Sequence, residues 1–143
     1  MVRALPFYTN KTKEITKQPK IYFIDTGMRN SVMKKFDIEP AGNLFENYVF
    51  SELVKLGFEP KYWRTKSNAE VDFVIEKDGN SIPIEAKLNA SPDKIERSLQ
   101  SFIEAYKPKT AIIVTYKGKK GIIMVNGCKI IFTDILEMRK ILG

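Results

Sequence analysis

The stretch that decides the fold is AEVDFVIEKDGNSIPIEAK, residues 69–87. It contains two short apolar strands separated by Asp78-Gly79, the residue pair that favours a two-residue type I′ turn. A two-residue loop and a four-residue loop give the same strand register, whereas a three-residue loop would set charged side chains against apolar ones. The stretch is therefore predicted to form a β-hairpin with one defined register.

Alternation along the two strands separates apolar side chains from charged ones. The apolar face is predicted to hold Val71, Phe73, Ile75, Ile82, Ile84 and Ala86. With that face buried, the register sets Asp72 directly opposite Glu85, and Glu70 opposite Lys87. Directly opposed residues have Cβ atoms roughly 4.5–5.5 Å apart, where like charges repel. The two acids at 72 and 85 therefore need a shared proton or, as the better option inside a cell, a divalent cation such as Mg²⁺.

The alternative interpretation of these charges is a solvated outer strand face. In that case Glu70 and Lys87 form a cross-strand ion pair and have no chemical role. Val74 and Pro83 lie on the same predicted face. Two apolar residues there argue against a face that is simply exposed to water.

Glu46 is the candidate for a third acid at this site. It lies on a helix predicted over residues 43–56, at the border of that helix's apolar stripe. A carboxylate in such a position is costly unless it is paired or binds a metal. Glu52, on the same helix, is predicted to be more exposed. If the helix packs over the charged face of the hairpin, Glu46 joins Asp72 and Glu85.

The remaining patterns indicate an α/β domain with a mixed central sheet flanked by helices. Further strands are predicted at 21–25, 61–65, 110–116 and, as a second hairpin, 121–125 and 129–132. Further helices are predicted after Asp25, from Ser91-Pro92 to Tyr106, and from Thr133 or Asp134 onward. Residues 1–19 are predicted to be a polar basic linker or the tail of a preceding region, and residues 20–143 to be one domain.

Composition excludes several classes of function. The sequence has no histidine, which rules out Ser-His and Cys-His nucleophile pairs and makes a zinc site improbable. A single cysteine, Cys128, excludes an internal disulfide framework and fits a reducing compartment. The aliphatic runs are too short to span a bilayer. We expect a cytoplasmic protein with no membrane partner.

Positive charge is unevenly distributed along this chain of net charge +7. Two segments beyond the basic N-terminal region, residues 61–66 and 107–121, carry basic residues and no acid. The residues predicted to contact nucleic acid are Lys61, Arg64, Lys66, Lys117, Lys119 and Lys120. A polyanion is the partner that such segments favour, and solvated loops are the alternative.

The order of the candidate residues resembles the PD-(D/E)xK nuclease superfamily, which includes archaeal Holliday-junction resolvases. Its pattern is an acid on a first helix, an Asp on a strand and E-x-K on the next strand, matched here by Glu46, Asp72 and Glu85-Ala86-Lys87. Val71 stands where the motif has its proline. The segments KIYFIDTGMRN, GNLFENYVFSEL, YWRT, AEVDFVI and IPIEAK are similar to the domain of unknown function at the C-terminal end of many archaeal and bacterial AAA+ ATPases.

This resemblance implies a restriction-endonuclease-like core, a Mg²⁺ or Mn²⁺ site and a DNA substrate, with RNA left open. It implies that Asp72, Glu85 and the Ala86 carbonyl bind the metal, with Glu46 contributing directly or through water. Lys87 would orient the attacking water and stabilise the developing charge. Related resolvases act as dimers, so the resemblance also implies a possible homodimer. Because the sequence lacks G-x-x-x-x-G-K-[ST], no ATPase activity is expected of this chain.

The favoured hypothesis is therefore metal-dependent hydrolysis of DNA phosphodiester bonds. The first alternative is a catalytically inactive nuclease fold that binds DNA or regulates another protein. The second is a partner-docking domain of an AAA+ ATPase, whose basic N-terminal tail contacts protein rather than DNA. All four signature positions, Glu46, Asp72, Glu85 and Lys87, are filled, which favours the active enzyme.

Overall fold

The computed structural model describes residues 1–7, 18–25 and 42–143. Within them, the elements in chain order are β1 (Val2–Ala4), β2 (Lys20–Tyr22), α1 (Gly42–Lys55), β3 (Lys61–Arg64), β4 (Glu70–Lys77), β5 (Asn80–Lys87), α2 (Arg97–Tyr106), β6 (Thr110–Thr115), β7 (Gly121–Val125), β8 (Cys128–Thr133) and α3 (Ile135–Leu142). The helix predicted after Asp25 lies outside the described residues.

A six-stranded mixed sheet forms the centre of the molecule, in the order β3-β4-β5-β6-β8-β7. Strands β3, β4 and β5 pair antiparallel, β5, β6 and β8 pair parallel, and β7 returns antiparallel to β8. Helix α2 connects the parallel neighbours β5 and β6, as a parallel crossover requires. The predicted class, α/β with a mixed sheet flanked by helices, is confirmed.

Apolar layers cover both faces of this sheet. On one face α1 and α3 pack against the sheet through residues such as Phe50 and Met138, with Phe73 below them. On the other face α2 packs through Phe102 against Trp63. Because both faces are buried, polar side chains that do reach the sheet gather where strands end.

The β4–β5 hairpin has the predicted turn and register. Backbone φ is +53° and +75° at Asp78-Gly79, as a type I′ turn requires. Strand pairing runs from Lys77↔Asn80 to Phe73↔Ile84 and stops there. The candidate site residues Asp72, Glu85 and Lys87 lie beyond that last pair.

The predicted apolar face of the hairpin is wrong at Val71. Pairing between β3 and β4 shifts from Lys61↔Val74 to Trp63↔Val71, so β4 has one extra residue in this interval. Such a bulge turns the side chains that follow it onto the other face. Val71 and Val74 therefore pack on the α2 side, whereas Phe73 packs on the α1 side.

The first residues of the chain pack onto the domain. Strand β1 pairs antiparallel with β2, which is shorter than the strand predicted at 21–25. Pro6 bridges to Tyr62, and Phe7 is 7% exposed among the aromatic side chains of α2. These contacts are absent from the sequence prediction of a linker or tail over residues 1–19, of which residues 8–17 lie outside the described chain.

Helix α2 begins later than predicted. It starts at Arg97, not at Ser91-Pro92. The Ser91 carbonyl accepts from Lys94 N–H at 3.3 Å, which closes a turn in place of a first helical turn. Residues 88–96 consequently remain a loop at the carboxyl end of β5.

The second hairpin and the closing helix follow the sequence prediction. Asn126-Gly127 forms the turn between β7 and β8 with φ of +48° and +78°. Asp134 caps α3 by accepting from Glu137 N–H at 2.9 Å. No helix in the described part of the chain is long and apolar enough to cross a membrane.

Candidate metal centre

Asp72 lies inside the shifted interval of β4, next to the last pair of the β4–β5 ladder. Its Oδ2 accepts a hydrogen bond from Ala86 N–H at 2.9 Å. The N–H and C=O of one strand residue point to the same side of the strand. The Ala86 carbonyl therefore also faces β4, on the same side as the Asp72 carboxylate.

Glu85 is the buried acid of this site. Its side chain is 2% exposed, and it lines a cavity of about 210 Å³ together with Lys87 and the 88–96 loop. Burial raises the pKa of Glu85 to about 8; the positive charge of Lys87 opposes this rise and the negative charge of Asp72 adds to it. At neutral pH, Glu85 holds a proton for most of the time, and a nearby cation would displace that proton.

The pKa of Asp72 is displaced in the same direction. Burial raises it to about 6, and the negative charge of Glu46 adds to the rise. The hydrogen bond from Ala86 and the positive charges of Lys87 and Lys20 oppose it. Two neighbouring carboxyl groups are thus both harder to ionise than carboxyl groups in water.

Lys87 follows Glu85 on β5 and stays charged. Its Nζ lies 3.1 Å from Glu96 Oε1, at the residue that precedes α2. Burial alone would lower the pKa of Lys87, but Glu85 and Glu96 outweigh burial and raise it. No pattern in the sequence indicated Glu96, because the helix predicted from Ser91 would have placed it inside α2.

Glu46 is held by residues of β2. The Tyr22 hydroxyl donates to Glu46 Oε1 at 2.5 Å, and Lys20 Nζ lies 3.8 Å from the same oxygen. Burial and the charge of Glu46 both raise the pKa of Tyr22. Glu46 is close enough to raise the pKa of Asp72, so α1 brings it to the site as the sequence suggested. Its partners Tyr22 and Lys20 were not predicted.

The predicted pairing of Glu70 with Lys87 is wrong. Glu70 pairs with Arg64 of β3, 2.5 Å from its guanidinium, and also with Lys20. Burial raises the pKa of Glu70, but the hydrogen bonds from Lys20 and Arg64 outweigh it and lower the pKa. The hairpin ladder ends at Phe73, before Glu70 could face β5.

The prediction that Glu52 is more exposed than Glu46 is also wrong. Glu52 is 3% exposed, and its carboxylate pairs with Arg139 of α3 and Lys55 of its own helix, both at 2.9 Å. The pattern of α1 alone could not show this, because Arg139 comes from the end of the chain. Glu52 fastens α3 to α1 and lies outside the site.

The oxygen donors at this site suit a hard divalent cation. Mg²⁺ takes one or two carboxylates and completes its shell with water and substrate phosphate. Asp72 and Glu85 supply two desolvated carboxylates, and the Ala86 carbonyl faces the same side of β5 as Asp72. Residues 1–7, 18–25 and 42–143 contain no group of three or more Asp, Glu, His or Cys that could hold a metal ion. The fit therefore rests on two carboxylates and a carbonyl, with Glu46 engaged by Tyr22.

The residues predicted to bind nucleic acid form two separate groups. Lys61, Arg64 and Lys66 lie on or after β3, at one edge of the sheet, where Arg64 is ion-paired with Glu70. The turn that follows β6, a strand in the middle of the sheet, carries three exposed lysines: Lys117, Lys119 and Lys120. Lys120 is ion-paired with Asp134, 2.5 Å from its carboxylate.

Comparison with known proteins places the chain in a family. The model of a domain of unknown function, DUF4143, matches residues 41–133. Two uncharacterized proteins, from Mycobacterium bovis and Mycobacterium tuberculosis, are 32% identical over 130 residues. The aligned part is 83% of this chain and only 29% of the length of each relative. No solved structure matches the chain. The chain belongs to the DUF4143 family of domains of unknown function.

Proposed function

We propose that this chain is a metal-dependent nuclease domain that hydrolyses DNA phosphodiester bonds, with Mg²⁺ or Mn²⁺ as its cofactor. One observation carries the proposal. Asp72 and Glu85, both with raised pKa values, lie beside the charged Lys87 where the β4–β5 ladder ends. Carboxyl groups with strongly perturbed pKa values next to a cavity are a common property of catalytic sites.

In this mechanism Asp72, Glu85 and the Ala86 carbonyl hold the cation. When bound, the cation lowers the pKa of a water molecule and neutralises charge on the phosphate. Lys87 orients the attacking water and donates to a phosphate oxygen, which stabilises the negative charge of the transition state. The acids at 85 and 96 keep Lys87 protonated for that role. Glu46 acts on the metal site directly or through water.

The mixed sheet with Asp72 and Glu85-Ala86-Lys87 on adjacent strands supports a restriction-endonuclease-like core. We further propose that the domain works as the C-terminal module of a longer AAA+ ATPase-type protein, either as one copy or as a homodimer. The alternative is an inactive module that binds DNA or docks onto a partner. If the chain never bound a metal, the burial of Glu85 would lower the stability of the fold without serving a function.

The test is cleavage of linear, flapped and four-way DNA, and of matching RNA, with Mg²⁺ or Mn²⁺. We expect DNA cleavage by the wild type and none by Asp72→Asn, which keeps the shape of the side chain. Glu76→Gln is the matched control, since Glu76 is an exposed acid on the same strand. A wild type that binds DNA and cuts none with either ion would overturn the proposal in favour of the inactive module. Undiminished cutting by Asp72→Asn would do so as well.

A further inference from the structure

The turn that carries lysines after β6 is tied to the segment that leaves the active-site strand. We call residues 116–120 the lysine loop. Three backbone hydrogen bonds join it to residues 87–90, from Tyr116 N–H to the Lys87 carbonyl (3.1 Å), from Lys117 N–H to that of Leu88 (2.8 Å) and from Lys119 N–H to that of Ala90 (2.8 Å). The lysine loop therefore has a fixed position relative to Lys87.

Thr115 reinforces this attachment from inside. Its side chain is 3% exposed, at the end of β6. Its hydroxyl oxygen accepts from Gly118 N–H at 2.9 Å and from Ala90 N–H at 3.2 Å. One buried hydroxyl thus bridges the lysine loop and the 88–96 loop, which removes freedom from both.

Gly118 allows the close approach of the two segments. A Cβ atom at this position would lie 2.1 Å from the Ala90 carbonyl oxygen and 2.4 Å from the Thr115 hydroxyl. Both distances are far below van der Waals contact, and one partner is backbone that cannot rotate away. A side chain at residue 118 would therefore push the lysine loop off residues 87–90.

Positive charge continues from Lys87 to this loop. Lys94 lines the same cavity of about 210 Å³ as Lys87 and is exposed. Lys117 and Lys119 are exposed on the lysine loop, and Lys119 is near enough to the exposed Asp93 to lower its pKa, after the larger effect of the Ser91 hydroxyl. A DNA backbone that passes Lys87 would contact these lysines next.

The other basic group has a different setting. Strand β3 is an edge of the sheet, and both β4 and β5 separate it from β6. Arg64 is ion-paired with Glu70 and lies 5.7 Å from the centre of the Tyr62 ring. Its charge is directed to an internal partner and not to a surface next to Lys87.

We infer that the lysine loop, together with Lys94, binds the DNA backbone next to the cleaved phosphate, and that the basic residues of 61–66 do not. The inference rests on the proposed function, because Lys87 must face the cleaved phosphate for its neighbours to meet the same strand. Contacts of this kind fix the position of DNA without reading its sequence.

Binding of a short labelled duplex, followed by fluorescence anisotropy in EDTA, tests this without cleavage. Lys117→Ala/Lys119→Ala and Lys61→Ala/Lys66→Ala remove the same charge from the two groups. We expect the first pair to weaken binding roughly 10- to 100-fold at about 0.1 M salt and to reduce the salt slope by about 2. The second pair should bind within about twofold of the wild type, since it removes no phosphate contact.

Gly118→Ala and Thr115→Val test the attachment with every charge retained. Each should weaken DNA binding several-fold, because the lysines lose their position relative to Lys87. Near-ultraviolet circular dichroism checks that the core is intact. The exposed lysine substitutions decide the matter even if Gly118→Ala fails to fold.

Equal weakening by the two lysine pairs would overturn the inference, as would wild-type binding by a folded Gly118→Ala. A cleavage assay with Mg²⁺ distinguishes a failure of this inference from a failure of the proposed function. A wild type that cuts DNA while both pairs bind alike is a nuclease that does not use the lysine loop. A chain that binds through the lysine loop and never cuts supports the inference and removes the nuclease. A wild type that binds no DNA removes both.

Discussion

Glu70 and Glu85 are two glutamates on adjacent strands of one hairpin, and their surroundings shift their pKa values in opposite directions. Glu70 receives two cations, Lys20 and Arg64, and its pKa is lowered. Glu85 is almost fully buried beside another acid, Asp72, and its pKa is raised to about 8. The fold stabilises the ionised form of Glu70, whereas burial and the charge of Asp72 disfavour the ionised form of Glu85.

Under the proposed function, this contrast separates a structural charge at Glu70 from a functional charge at Glu85. An acid with a lowered pKa stabilises the folded chain when it is ionised, and an acid with a raised pKa destabilises it. Acids with raised pKa values are tolerated at sites where they serve binding or catalysis. Substitution of each glutamate by glutamine should therefore have opposite consequences for activity and stability.

The largest expected effect is on DNA cleavage. Glu85→Gln should lower the single-turnover rate roughly a thousandfold, because the amide cannot supply the negative charge that holds the cation. Glu70→Gln should leave the rate within about threefold, since Glu70 points to Lys20 and Arg64 and has no place in the mechanism. The measurement is cleavage of labelled DNA with enzyme in excess. Equal losses of cleavage rate in the two variants would contradict a role in catalysis for Glu85 that Glu70 lacks.

The second effect is on metal affinity as a function of pH. Because Mn²⁺ must displace the Glu85 proton, affinity should rise about tenfold between about pH 6.5 and 7.5, given pKa values of about 8 and about 6 at Glu85 and Asp72. Titration calorimetry should also detect proton release that depends on the buffer. Glu70→Gln should keep this dependence. A pH-independent affinity would mean that Glu85 does not bind the ion.

The third effect is on the stability of the metal-free chain. Glu85 has a folded pKa above its ordinary value of 4.5, so the folded chain holds a proton that the unfolded chain releases. Its contribution to stability is therefore lost as pH rises from 4.5 to about 8, at up to about 1.4 kcal/mol per pH unit. Urea unfolding across this range should show a flatter profile for Glu85→Gln.

Glu70 supplies the control for that profile. Its pKa is lowered, so its contribution is present above its unfolded pKa and is lost as the pH falls. Glu70→Gln should reduce stability at neutral pH and remove part of the acid-side loss. Parallel profiles for the two variants would contradict the opposite pKa directions.

The sequence predicted what depends on neighbouring residues. Asp78-Gly79 and the alternation of apolar residues determine the turn and register of the β4–β5 hairpin, which the structure confirms from Phe73 to Lys77. The same register predicted Asp72 directly opposite Glu85, but the ladder ends at Phe73↔Ile84, and Asp72 instead accepts a hydrogen bond from Ala86 N–H. The helix with Glu46 followed from its apolar stripe in the same way.

What the sequence could not predict depends on contacts between distant segments. The extra residue of β4 between Val71 and Val74 arises from pairing with β3, and no local pattern encodes it. Tyr22 reaches Glu46 only because β2 packs beside α1, and Arg139 buries Glu52 from the end of the chain. The 88–96 loop remains open because Ser91 forms a turn where a helix start was predicted.

The smallest effect we expect is that of Tyr22→Phe. This variant tests whether the hydrogen bond from Tyr22 to Glu46 supports the metal site. The Tyr22 ring is stacked on Phe50 at 4.2 Å, so phenylalanine should keep the packing and lose only the hydrogen bond to Glu46. That loss should cost about 1.5–3 kcal/mol in urea unfolding, the range for a hydrogen bond to a charged group. If Tyr22 positions Glu46, cleavage should fall a few-fold and its dependence on Mg²⁺ concentration should shift upward. A loss of stability with an unchanged Mg²⁺ profile would confine Tyr22 to a structural role.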